Sequence, residues 1–129
     1  MRTIAIIEDN EDNRLLLKGI LEDFFHLVEF EDGAKALAAL PAAPPELILM
    51  DISLPGMDGV TVLAKLREFP CLKGVPVIAL TAHAMDGDRE RFLAAGFDDY
   101  VTKPIVDETY LLKAIQRGLS LASSPPPSS

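Results

Sequence analysis

The sequence predicts a doubly wound α/β fold: five parallel strands alternating with five helices. Three observations carry this. Five short, mostly apolar runs alternate with five segments patterned for helix. The runs at 4–7, 47–50 and 77–80 are unbroken rather than alternating, as in strands covered on both faces. Strand–helix–strand alternation of this kind builds parallel sheets with right-handed crossovers.

Taken in order, Thr3 to Ile7 is the first strand, running into Glu8-Asp9-Asn10. Asn10 caps a helix whose apolar face is Leu16, Leu17, Ile20, Leu21, Phe24 and Phe25, at spacings of three and four. Leu27 to Phe30 is the second strand, and Asp32-Gly33 opens an alanine-rich helix that must stop before Pro41. Leu47 to Met50 forms the third strand and ends in Asp51. Asp58 caps a helix through Val62, Leu63, Leu66 and Phe69, closed by Pro70. Val75 to Leu80 is the fourth strand, followed by Thr81-Ala82-His83. Asp86 to Ala95 reads as helix with Gly96 as its stop, and Asp99 to Thr102 as a short fifth strand before Lys103-Pro104. A last helix from about Asp107 carries Leu111, Leu112, Ile115 and Leu119 on one face. Residues 1–122 are read as one domain, and 123–129, all serine and proline, as a disordered tail.

Composition narrows the function. The 129 residues carry a net charge of −8, which disfavours nucleic acid as a partner and favours a cation or a basic protein surface. The single Cys71 excludes an internal disulfide. No N-terminal signal pattern is visible, and no apolar run approaches the ~18 residues of a membrane span. A cytoplasmic protein is expected.

Four strands end in polar groups suited to chemistry: Glu8-Asp9, Asp51, Thr81 and Lys103. The carboxyl ends of parallel strands share one edge, where such sheets bind ligands. Hard carboxylate oxygens suit Mg²⁺, and a lysine ammonium with a threonine hydroxyl suits phosphoryl oxygens. Asp51 is then a candidate nucleophile forming an acyl phosphate.

Together, Ile7-Glu8-Asp9-Asn10, Leu49-Met50-Asp51, Leu54-Pro55-Gly56-Met57-Asp58-Gly59, Leu80-Thr81-Ala82 and Tyr100-Val101-Thr102-Lys103-Pro104 resemble the receiver domains of two-component response regulators. The resemblance spans residues 3–121 and rests on joint order and spacing. It implies a flavodoxin-like sheet of order 2-1-3-4-5. It also implies that Asp51 is the phosphoacceptor. Asp9, Asp51 and the backbone carbonyl of Ser53 would bind Mg²⁺, or Mn²⁺ in its place, with Glu8 acting through water. Thr81, Lys103 and Ala82 would hold the phosphoryl group, and Thr81 and Tyr100 would form the switch. Ser53 and His83 would tune the phosphate's lifetime, and Pro104 would follow a cis peptide bond. The implied donor is a histidine kinase or histidine phosphotransfer protein. The implied target is a protein bound by the face of helix 4, strand 5 and helix 5, with the chain a monomer or weak dimer. The segment 81–91 is similar to stand-alone cell-cycle receivers of the polar-differentiation type, and receivers of hybrid kinases share it. Such a domain modifies itself and is not a metabolic enzyme.

Other readings fit less well. As a calcium loop the run from Asp9 fails, because Arg14 stands where glycine is required and Ile20 where glutamate is. An aspartate-based phosphatase of the haloacid-dehalogenase type needs a second aspartate where Ser53 stands. A binding module independent of phosphorylation, or a receiver excised from a larger regulator, remains an alternative.

Overall fold

The structure is a computed structural model that describes residues 2–54, 56–81, 88–102 and 108–123. Five strands, β1 (Thr3–Ile7), β2 (His26–Phe30), β3 (Leu47–Asp51), β4 (Val77–Thr81) and β5 (Asp99–Thr102), form one sheet. All pairings are parallel and the order is β2-β1-β3-β4-β5. The helices are α1 (Glu11–Leu21), α2 (Gly33–Ala39), α3 (Gly59–Leu66), α4 (Asp88–Ala95) and α5 (Glu108–Ser123).

Period-two alternation along the central strands splits the core into two layers. Ile4, Ile6, Leu47, Leu49, Ile78 and Leu80 pack with Leu17, Ile20 and Leu21 of α1 and Leu111, Ala114, Ile115 and Leu119 of α5. Ala5, Ile7, Ile48, Met50, Val77 and Ala79 pack with α2, α3 and Phe92 of α4 on the other face. Each such buried Leu or Ile contributes about 1.5–3 kcal/mol. The two layers clamp β1, β3 and β4, so the ends of these strands are held firmly.

Caps set where the helices begin. Asn10, Asp32 and Asp58 each accept the backbone N–H three residues on, at 3.0, 2.8 and 2.8 Å. The bond from Thr61 holds the Asp58 carboxyl below the ordinary carboxylate range. At the edge away from the strand ends, Arg67 donates to the carbonyls of Leu72, Lys73, Val75 and Gly96. It also meets Asp98 at 3.3 Å, whose carboxylate accepts the Val77 N–H and so ties the start of β4 to the approach to β5.

Several boundaries differ from the sequence reading. α1 ends at Leu21, and Phe24 and Leu16, expected on its buried face, are 58% and 41% exposed. β2 begins at His26, one residue before the predicted start, because its backbone N–H bonds to the Arg2 carbonyl and is already in the ladder. α3 stops at Leu66 and leaves Phe69 partly exposed before a 3₁₀ turn at Pro70–Leu72. β4 starts at Val77, since Pro76 cannot donate to the ladder. α4 is described from Asp88 to Ala95; its expected start at Asp86 lies outside the described residues. α5 continues through Ser123, a residue that composition puts in the tail; 124–129 lie outside the described residues.

Candidate functional site

The register sets the site. Ile7 pairs with Met50 and Asp51 with Leu80, so Glu8 and Asp51 emerge side by side at the carboxyl edge of the two central strands. Thr81 pairs with Thr102 one step further along. Glu8 is fully buried, Asp51 is 3% exposed and Thr81 is 5% exposed, while Asp9 faces solvent. Carboxylate oxygens of Glu8, Asp9 and Asp51 lie within 4.8 Å of one another. Three acids so close repel one another, and a cation relieves that repulsion. The set is all oxygen, which fits a hard divalent ion such as Mg²⁺ rather than a soft one.

Local hydrogen bonds aim these groups. One Glu8 carboxylate oxygen accepts the Asn10 backbone N–H at 3.2 Å and the Asn13 amide at 3.4 Å. Asp51 Oδ1 accepts the Ser53 N–H at 3.0 Å, which turns the chain out of β3. Gly56 continues that turn at φ 78°, a conformation that favours glycine. Gly59 then brings the chain back, its N–H donating to the Ile52 carbonyl at 2.8 Å.

A Cβ on Gly59 would stand 2.8 Å from the Asp51 carbonyl oxygen and 2.9 Å from Ile52 Cα. Both are backbone atoms that cannot swing aside. Gly59→Ala should therefore cost about 1–3 kcal/mol, as overpacked sites do. It should also displace the backbone at Asp51. Urea denaturation and the amide shifts of residues 51–53 would check this, and an unchanged midpoint would contradict it.

Of the predicted site residues, the structure brings Glu8, Asp9, Asp51 and Thr81 to one edge, with Ser53 beside Asp51. Tyr100 lies on β5, half-buried, its ring 5.8 Å from that of Phe92. It also lines a depression of about 340 Å³ with Leu93, Asp99, Tyr110 and Arg117, where Arg117 pairs with Asp99 at 2.9 Å. Ala82, His83, Lys103 and Pro104 lie outside the described residues.

Sequence reasoning misses two contributors, Asn13 and Arg14. One nitrogen of Arg14 donates to the carbonyls of Glu8 and Asp9, at 2.7 and 3.1 Å. The only signal was their place in the first turn of the helix after the acidic pair.

The family model of the response regulator receiver domain matches residues 4–116. The chain belongs to that family. It is 42% identical over 107 residues to the signal transduction histidine-protein kinase BarA of Escherichia coli K12, covering 82% of this chain. The match spans only 12% of that kinase's length. The receiver domain of the sensor histidine kinase PA1611 from Pseudomonas aeruginosa, solved with a magnesium ion in its active-site cleft, is 33% identical with a TM-score of 0.84. That match covers 92% of this chain and 98% of the other. The receiver domain of the Saccharomyces cerevisiae response regulator Ssk1, solved with the histidine phosphotransfer protein Ypd1, is 28% identical with a TM-score of 0.82, covering 94% and 91%. This chain is therefore a two-component receiver domain with the flavodoxin-like fold. Among the described residues no helix is long and apolar enough to cross a membrane.

Proposed function

We propose that this receiver is a phosphorylation-controlled protein switch of a phosphorelay, with Asp51 as phosphoacceptor. The observation that carries this is the buried Asp51 at the end of the central strand, grouped with Glu8 and Asp9 and one strand from Thr81. An Asp51 carboxylate oxygen attacks phosphorus of a phosphohistidine; the new O–P bond forms as the P–N bond breaks. The departing nitrogen keeps the electron pair, and the imidazole takes a proton from water. Thr81, Lys103 and Ala82 hold the phosphoryl oxygens. Water later cleaves the acyl phosphate and restores Asp51, with Ser53 and His83 setting the lifetime. The acceptor is the chain's own residue, so the cycle is a switch rather than metabolic turnover.

Asp9, Asp51 and the Ser53 carbonyl would hold Mg²⁺, or Mn²⁺, with Glu8 acting through water; the ion supplies neutralisation of charge on the phosphoryl oxygens. The donor is a histidine kinase or a histidine phosphotransfer protein. The family match and the pairing of Ssk1's receiver with Ypd1 support this. The output is a protein bound by the face of α4, β5 and α5. A cytoplasmic monomer or weak dimer suits this role; the sequence of residues 81–91 is similar both to stand-alone cell-cycle receivers of the polar-differentiation type and to receivers of hybrid kinases. The domain runs to the end of α5 at Ser123, ahead of a Ser/Pro tail.

The test is mass gain of one phosphoryl group from acetyl phosphate or a phosphorylated kinase, with and without Mg²⁺. No gain with either donor would refute the reading. Mg²⁺ at about a hundredfold over its Kd should also stabilise the fold by about 2.7 kcal/mol, by mass action. Asp9→Asn should lose most of that stabilisation and of the labelling together. Equal melting points with and without Mg²⁺, beside full labelling of Asp9→Asn, would contradict the metal assignment.

A further inference from the structure

We infer that Arg14 is the positioning residue that sets the divalent-ion selectivity of the acidic pocket. The inference rests on the pocket being a Mg²⁺-dependent phosphoacceptor site. Glu8 and Asp9 are adjacent in sequence but anchored differently. The Glu8 carboxylate is buried and bonded to Asn10 and Asn13, and its backbone N–H donates to the Phe30 carbonyl at 3.0 Å. The Asp9 carboxylate is exposed and has no hydrogen-bond partner among the described residues. Among the described residues it is the backbone of Asp9 that is anchored, and the backbone sets where its Cα–Cβ bond points.

Arg14 supplies that control. Its bonds to the carbonyls of Glu8 and Asp9 fix the peptide planes on both sides of Asp9. Those two planes define the φ and ψ of Asp9, and with them the direction of its Cα–Cβ bond. The guanidinium is itself held. Its side chain is 19% exposed, Nε faces Glu29 of β2 at 4.0 Å, and its backbone N–H makes the first bond of α1 to the Asn10 carbonyl. The clamp thus ties the main chain of Asp9 to α1 and β2.

The consequence for metals follows from ion size. Mg²⁺ needs near-octahedral oxygens at about 2.0–2.1 Å, whereas Ca²⁺ accepts irregular ones at about 2.3–2.6 Å. A fixed Asp9 favours the smaller ion; a loosened one loses Mg²⁺ before Ca²⁺. Lysine has a single ammonium on a flexible stem and can replace the planar fork only in part.

The experiment is calorimetric titration of the wild-type chain, Arg14→Gln and Arg14→Lys with MgCl₂ and with CaCl₂, with metal-free melting curves alongside. Arg14→Gln should weaken Mg²⁺ binding roughly tenfold, the scale of lost outer-sphere support. Its Ca²⁺ binding should change less than about twofold. Arg14→Lys should fall between, and it carries the test if Arg14→Gln does not fold. A merely structural role would lower melting temperature without changing the Mg²⁺/Ca²⁺ ratio. Equal weakening of both ions, or an unchanged ratio in the variants that fold, overturns the role of Arg14 alone. A wild-type chain that binds neither ion overturns the metal reading as well.

Discussion

Asp51→Asn should abolish phosphoryl incorporation while leaving the fold in place. The amide has the shape of the carboxylate, and its carbonyl oxygen can still accept the Ser53 N–H that lies 3.0 Å from Asp51 Oδ1. What is lost is the anionic oxygen that attacks phosphorus. What is also lost is one of three negative charges packed within 4.8 Å, so repulsion with Glu8 and Asp9 falls. Without metal the variant should therefore melt at or above the wild-type temperature, although it takes no phosphate. Intact mass after acetyl phosphate treatment and a thermal melt separate the two effects. Labelling at wild-type stoichiometry would assign the phosphate elsewhere.

The parts of this molecule legible in sequence are those written in residue type. Leu47 to Met50 reads as a strand covered on both faces, and the structure buries all of it. The acids at strand ends were visible because charge after an apolar run is conspicuous. The limits of α1 were not, because the three-and-four spacing that marks a helix continues past it through Phe24 and Phe25. The chain leaves the helix at Glu22 so that β2 can begin pairing at His26. The contribution of Arg14 was hidden for a different reason. It works by donating to main-chain carbonyls, and carbonyls leave no trace in sequence. The closeness of Gly59 to Asp51 is likewise a distance between backbones.

Thr81→Ala should leave Asp51 able to accept phosphate but uncouple that event from the far face of the domain. Thr81 ends β4, buried, and the phosphoryl group on Asp51 offers its hydroxyl a new acceptor. Movement of the hydroxyl toward that oxygen should open room on the neighbouring strand, where Tyr100 packs half-buried against Phe92. An inward rotamer of Tyr100 withdraws its ring from the depression it shares with Leu93, Tyr110 and the Arg117–Asp99 pair. The surface of α4, β5 and α5 should then change shape by exchange between two packings rather than by continuous deformation of the core. A bias of about 1–3 kcal/mol between them would change partner affinity roughly 5–150-fold. Alanine removes the hydroxyl that senses the phosphate, so most of that factor should vanish while labelling persists. Beryllofluoride, which mimics the acyl phosphate, allows amide shifts to be followed residue by residue in both proteins. Wild type should show large shifts at 91–102 and 108–119, and Thr81→Ala should show shifts confined to the neighbourhood of Asp51. If the variant reproduces the wild-type shifts on α5, the signal travels by a route other than Thr81.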